Sequence, residues 1–227
     1  LKIVFLGDSL TQGTFGVSFV DKIAAVMPGH HFINAGVNGD TSLNLYRRVD
    51  KDVLAHQPDG AFVMVGINDA VSFSEPGSRA YYRFVKGVPG GHISPIAFRE
   101  NLRALLGKLV VAQLRVWLAL PPLEYRPEEV AALRKMNAYA QQVCQELNIP
   151  VLDLLARLTP EVVPQRPAIN HWVYLRNLRV LLGRRHYNHL RDRGGFTYSF
   201  DGIHLTEQGA QAVADAIVTF LRANGVT

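Results

Sequence analysis

Five short apolar runs, each separated from the next by a longer stretch, constrain the fold of this 227-residue chain more than any other feature. The runs are Lys2 to Leu6, His31 to Ala35, Ala61 to Val65, Val116 to Leu120 and Pro150 to Leu154. Between them, apolar residues recur at helical spacing: over Phe15 to Met27, from a Thr41 or Ser42 cap to about His56, from Ser94 and Pro95 to about Gln113, and from Pro127 to Asn148. A final helix capped by Thr206 runs to about Ala223, its stripe formed by Ala210, Val213, Ala214, Ile217 and Leu221. Strands that return through a helix pair in parallel, and a parallel sheet needs both faces covered. The expected class is therefore α/β, a three-layer α/β/α arrangement around a five-stranded parallel sheet.

Two stretches do not fit the alternation. Val71 to Ser94 has no clean period and carries Phe73, Tyr81, Tyr82 and Phe84, so it reads as an ordered loop near a site. Thr159 to Phe200 is longer than an ordinary connection and reads as a functional insert, about 159–200, within a single domain spanning 1–227. The net charge of +5 is concentrated there. Arg157 to Arg193 alone carries +6, leaving −1 for the remainder. Within the insert, Tyr174, Leu175, Leu178, Leu181 and Leu182 fall on one helical arc bordered by Arg176 and Arg179. Such a helix is either a lid that favours an anionic substrate or an ordinary basic surface.

Several classes are excluded or left without support. Apolar runs such as Leu105 to Leu120 are interrupted by Lys108, Gln113 and Arg115, so no transmembrane segment is expected, although peripheral membrane contact stays open. The chain opens directly on a strand without a signal-peptide pattern and reads as soluble; its compartment is left open. The basic residues accompany no nucleic-acid-reading module, so nucleic acid is not an expected partner. Cys144, the only cysteine, excludes an internal disulfide and reads as a small core residue. His186 and His189 have the spacing of a helical metal pair, but no third ligand follows at a suitable distance, and no metal or cofactor is assigned.

The chemistry centres on Leu1 to Gly13, LKIVFLGDSLTQG, in which the first apolar run ends in Gly7, Asp8 and Ser9. Gly7 permits a turn, and Ser9 then stands at the carboxyl end of a strand, where open α/β sheets place their ligands. A lone serine there is most often only a helix cap. Gly7 and Gly13 do not make a dinucleotide fingerprint, no lysine follows for a P-loop, and GDSLT lacks the second glycine of the nucleophile elbow. Near the other end of the chain stands Asp201-Gly202-Ile203-His204. A catalytic serine needs a base within hydrogen-bond reach and a carboxylate to hold that base, and an Asp-x-x-His turn offers both.

Taken in order, Gly7-Asp8-Ser9-Leu10, Gly39 within NGDT, Gly66-x-Asn68-Asp69 and Asp201-x-x-His204 resemble the blocks of the GDSL, or SGNH, hydrolase family. The resemblance implies a flavodoxin-like sheet and a serine hydrolase that cleaves carboxylic esters through an acyl-enzyme. It implies Ser9 as nucleophile, His204 as base and then acid, and Asp201 as its orienter. The backbone N–H groups of Ser9 and Gly39, with the Asn68 amide, would form the oxyanion hole. Asp8, Asp40 and Asp69 are read as structural, bonding backbone N–H groups. The expected substrate is a small ester: a short acyl ester, an acetylated sugar or a lysophospholipid. An acyltransferase or thioesterase would use the same residues, and a non-catalytic binding protein on the same scaffold is the remaining alternative. Intact Ser9, Asn68, Asp201 and His204 argue against the last.

Overall fold

The computed structural model describes residues 1–168 and 187–227. The arc from Tyr174 to Leu182, with Arg176 and Arg179, lies outside those residues, as does His186. His189 is exposed on a short helix, Tyr187–Gly194.

Strands β1 (Lys2–Gly7), β2 (His31–Gly36), β3 (Gly60–Met64), β4 (Arg115–Leu120) and β5 (Val151–Asp153) form one parallel sheet in the order β2-β1-β3-β4-β5. The interior strands β1, β3 and β4 are almost wholly buried, which is why they read as continuous apolar runs without alternation. The edges are a half-exposed β2 and a β5 of three residues, too short to template pairing with another chain. The order 2-1-3-4-5 reverses direction between β1 and β3. Connections leave to opposite faces at that point and open a crevice at the carboxyl ends of those two strands.

The helices are α1 (Ser9–Gln12), α2 (Phe19–Val26), α3 (Ser42–Asp52), α4 (Ile67–Ser74), α5 (Arg79–Phe84), α6 (Pro95–Val111), α7 (Pro127–Leu147), α8 (Leu154–Leu158), α9 (Tyr187–Gly194) and α10 (Glu207–Ala223). Helix α2 packs with α10, while α6 packs with both α3 and α7, so the sheet is covered on both sides. The expected stripe of α10 is fully buried. Cys144 is likewise buried on α7, where burial pushes its thiol up to about 12. Phe5 lies at the centre, its ring stacked 5.0 Å from Phe62 and edge-on to Phe19 and Phe32 at 6.1 and 5.7 Å. That cluster rivets β1 to β2, β3 and α2. Truncating Phe5 to alanine would cost about 3–5 kcal/mol and loosen the strand that leads to Ser9.

Three expectations on local structure need correction. The helix expected from Phe15 begins at Phe19, because Ser18 Oγ accepts the Asp21 N–H at 3.2 Å and fixes the start. The expected loop from Val71 to Ser94 contains the end of α4, all of α5, and 3₁₀ turns at Pro76–Ser78 and Pro89–Gly91. Pro76, Gly77, Gly87 and Pro89 cut it into pieces shorter than the window over which a helical period is legible. The fifth strand ends at Asp153, whose carboxylate accepts the Ala156 N–H at 2.8 Å and starts α8 at once.

Candidate active site

Strand β1 ends at Gly7, and α1 starts two residues later. A Cβ on Gly7 would run into Thr11 and lie 2.7 Å from the Met64 carbonyl oxygen, so the glycine is required for close approach, not for an unusual backbone angle. Asp8 caps α1 by accepting the Leu10 N–H at 3.0 Å. Ser9 opens the helix with only 7% of its surface exposed.

The segment that meets it comes from 195 residues away. His204 Nε2 lies 3.0 Å from Ser9 Oγ, and His204 Nδ1 lies 2.8 Å from Asp201 Oδ2. Asp201 Oδ1 accepts the backbone N–H groups of Ile203 and His204 at 3.0 and 2.8 Å, so the three-residue spacing closes a turn around the carboxylate. The imidazole lies near Phe15 and Phe200, with ring centroids at 5.6 and 6.0 Å, and Tyr187 stacks on Phe200 at 4.6 Å. Burial pushes the Asp201 carboxyl up, but attraction to His204 and hydrogen bonds from its ring and backbone outweigh it and leave the group below its ordinary value. Burial pushes His204 down, yet the charge and hydrogen bond of Asp201, with the charge of Asp8, carry it above its ordinary value.

The loop that presents Asp201 is held by a residue the sequence reading did not single out. Glu124 is 2% exposed. Its Oε1 accepts the N–H groups of Tyr198 and Ser199 and the Ser199 hydroxyl at 3.1, 2.9 and 2.7 Å, while Oε2 accepts the Thr197 N–H at 2.9 Å. Ser199 Oγ in turn accepts the Gly202 N–H at 2.9 Å, and the Glu124 N–H donates to the Gly202 carbonyl at 3.0 Å. No sequence period marks Glu124. Its only sign is a carboxylate directly after the Pro-Pro-Leu that ends β4.

Gly39 and Asn68 lie on the two neighbouring connections. Gly39 has φ +74°, a left-handed conformation that favours glycine, and a Cβ there would press on the Tyr81 hydroxyl. Asn68, on the first turn of α4, donates from Nδ2 to the Asp40 carbonyl at 3.0 Å and to Asp8 Oδ2 at 3.3 Å, which brings it against both the Ser9 and Gly39 segments. The Asp40 carboxylate pairs with Arg48 and Lys86 at 2.7 and 2.6 Å. Arg48 also donates to the Ala35 and Gly7 carbonyls at 2.8 and 2.9 Å, and Lys86 to the Asn38 carbonyl at 2.8 Å. These two cations, unmarked in the sequence reading, tie the Gly39 loop to the ends of β1 and β2. Asp40 thus binds cations, whereas Asp8 and Asp69 bond backbone N–H groups as expected, Asp69 taking the Ser42 N–H and hydroxyl. Burial pushes Asp8 up to about 6 and Asp69 up to about 7.

Among the described residues, no three His, Cys, Asp or Glu side chains are grouped so as to hold a metal ion, and no helix is long and apolar enough to cross a membrane.

A solved acetyl xylan esterase structure superposes with a TM-score of 0.66 at 19% identity, over 96% of this chain and 98% of that one. The lipase/acylhydrolase from Enterococcus faecalis gives 0.65 at 22%, over 98% and 96%. An acetylxylan esterase from Geobacillus stearothermophilus is 35% identical over a shorter stretch, 30% of this chain and 39% of that protein, so the match spans well under half of that relative's length. The sequence pattern of the GDSL-like lipase/acylhydrolase family matches residues 5–212, and with a flavodoxin-like sheet whose β1 and β3 ends carry the family's blocks, the chain belongs to that family of ester-hydrolysing enzymes.

Proposed function

We propose that this chain hydrolyses carboxylic esters by a serine mechanism, with Ser9 as nucleophile, His204 as general base and acid, and Asp201 as the group that orients and charges His204. The observation that carries the reading is the continuous line from Ser9 Oγ to His204 Nε2 at 3.0 Å and from His204 Nδ1 to Asp201 Oδ2 at 2.8 Å. An Nδ1–H held by a buried carboxylate leaves Nε2 bare and facing the hydroxyl, which is the tautomer needed to accept its proton.

In the forward step Ser9 Oγ attacks the ester carbonyl as its proton passes to Nε2, and the resulting imidazolium is stabilised by Asp201. The carbonyl oxygen gains negative charge. The N–H groups of Ser9 and Gly39 and the Asn68 amide meet that charge without reorganising. Collapse expels the alcohol, protonated by His204, and leaves an acyl-Ser9 ester. Water, deprotonated by the same imidazole, then attacks the acyl carbonyl; collapse breaks the bond to Ser9 Oγ, which takes the proton back from His204 as the acid is released.

Among the three substrate classes consistent with this mechanism, an acetylated sugar has the most support, since structural relatives over nearly the full chain are named as acetylxylan esterases. The test is a panel of p-nitrophenyl esters of increasing acyl length, an acetylated xylo-oligosaccharide and a lysophospholipid, with Ser9→Ala alongside. Turnover that is fastest for acetyl esters and vanishes in Ser9→Ala is expected. Near-normal activity of Ser9→Ala refutes the mechanism, and no turnover of any ester by the native chain turns the reading towards a binding protein.

A further inference from the structure

We infer that Tyr82 is a positioning residue for ester hydrolysis, acting through Asn68; the inference rests on the proposed role of Asn68 as an oxyanion donor. Tyr82 belongs to α5, is 1% exposed, and donates its hydroxyl to Asn68 Oδ1 at 2.9 Å.

The chemistry around the Asn68 amide fixes its orientation. On the nitrogen side stand two acceptors, the Asp40 carbonyl at 3.0 Å and Asp8 Oδ2 at 3.3 Å. On the oxygen side stands the Tyr82 hydroxyl. A flipped amide would turn its oxygen towards a carbonyl and a carboxylate, so only the observed orientation satisfies all three neighbours. The bond to the Asp40 carbonyl holds one N–H of Nδ2. The other makes the longer contact to Asp8, and it is the one that a developing oxyanion would take over.

Tyr82 contributes in two ways. It pins Oδ1, so that the amide plane cannot rock when the Asp8 contact is exchanged for the oxyanion. It also polarises the amide, since a hydrogen bond accepted at the oxygen makes the N–H groups stronger donors. Both effects matter most when the oxyanion is present, so they belong to kcat and not to ground-state binding. Tyr82 is given no role on the substrate itself; it acts through its bond to Asn68. The stretch that carries it has no helical period, which is why sequence alone gives no reason to choose it over Tyr81.

The experiment is a double-mutant cycle with Tyr82→Phe and Asn68→Ala on p-nitrophenyl acetate, with melting temperatures read alongside. Tyr82→Phe keeps the ring and is expected to lower kcat by about 10-fold with KM nearly unchanged, while Asn68→Ala lowers kcat on the order of 10²- to 10³-fold, as loss of one oxyanion donor does. In the Asn68→Ala background, adding Tyr82→Phe should cost nothing further. Affinity for a boronic acid that mimics the tetrahedral adduct should fall in parallel with kcat. If the two losses multiply, or if Tyr82→Phe raises KM instead, Tyr82 does not act through Asn68 and the inference fails while the ester-hydrolase reading stands. If Asn68→Ala leaves kcat intact, the oxyanion assignment fails and takes the role of Tyr82 with it. Persistence of Ser9→Ala activity marks failure of the underlying mechanism.

Discussion

Replacing Glu124 by glutamine should damage an active site that Glu124 does not enter. The carboxylate collects four donors from Thr197, Tyr198 and Ser199. Glutamine has nearly the same shape but one acceptor oxygen, so whichever way its amide lies, an N–H group faces a backbone N–H that was previously bonded. One lost hydrogen bond to a charged acceptor costs about 1.5–3 kcal/mol, and the surviving bonds lose their charge assistance as well. A total of about 3 kcal/mol is expected, which for a chain of this size lowers the melting temperature by roughly 6–12 °C. Ser199 and Gly202 are coupled to Glu124 by reciprocal bonds, so the displacement reaches Asp201 and His204. A shift of about 1 Å in a catalytic group can cost 10²-fold, and a partial shift here should lower kcat by about 10-fold. Thermal melting by circular dichroism and hydrolysis of p-nitrophenyl acetate well below the transition read both effects. Glu128→Gln serves as control, because Glu128 is about half exposed and its loss should change stability by less than ~0.5 kcal/mol. If Glu124→Gln melts with the native protein, the carboxylate does not hold the loop and the reasoning is wrong.

Other outcomes follow from the same geometry. On the proposed mechanism activity requires neutral His204, whose pKa is raised mainly by Asp201 against the effect of burial, so the acid limb of kcat/KM should lie above the ordinary histidine value; Asp201→Asn should slow the reaction and move the limb down, and a native limb at or below that value contradicts the assignment. Asp69 titrates at about 7 in the fold and lower when unfolded, so the native state binds more protons between those values and stability falls as pH rises through that window. Asp69→Asn should flatten that slope in melts from about pH 4.5 to 7.5, and an unchanged slope refutes it. From the charge distribution of the sequence, replacing Arg176 and Arg179 together by glutamine should reduce turnover of an anionic ester and its salt dependence while sparing a neutral acetyl ester; equal losses on both substrates refute selection by charge.

The sheet was legible because each interior strand is buried on both faces and therefore continuous in sequence. Ser9, Gly39, Asn68, Asp201 and His204 were named through the resemblance of their blocks to one family, and the fold brings Ser9, His204 and Asp201 into one line. Glu124, Arg48, Lys86 and Tyr82 were not legible. Each makes its decisive contacts with residues distant in sequence: Tyr82 with Asn68, Lys86 with Asp40 and Asn38, Glu124 with 197–199. A charge or phenol whose partner lies outside its own element leaves no period and no motif. The segment from Val71 to Ser94 shows no helical period for a related reason, since its helical pieces are shorter than the window over which a period is legible.

Two buried carboxylates act on the same imidazole, and their environments push them in opposite directions. Asp201 receives two backbone N–H bonds and the His204 ring, and it is held below the ordinary carboxylate value. Asp8 receives one backbone N–H and the long contact from Asn68, and burial carries it up to about 6. Such divergence separates roles. A carboxylate that stays charged throughout the working range can hold one tautomer and stabilise an imidazolium as it forms. Asp8 instead accepts the second amide hydrogen of Asn68, the contact that an oxyanion would replace. Ionised Asp8 would also repel that oxyanion, whereas protonated Asp8 would not. The block Gly7-Asp8-Ser9 therefore places beside Ser9 a carboxylate whose charge favours protonated His204 and would oppose a negative charge on a substrate oxygen.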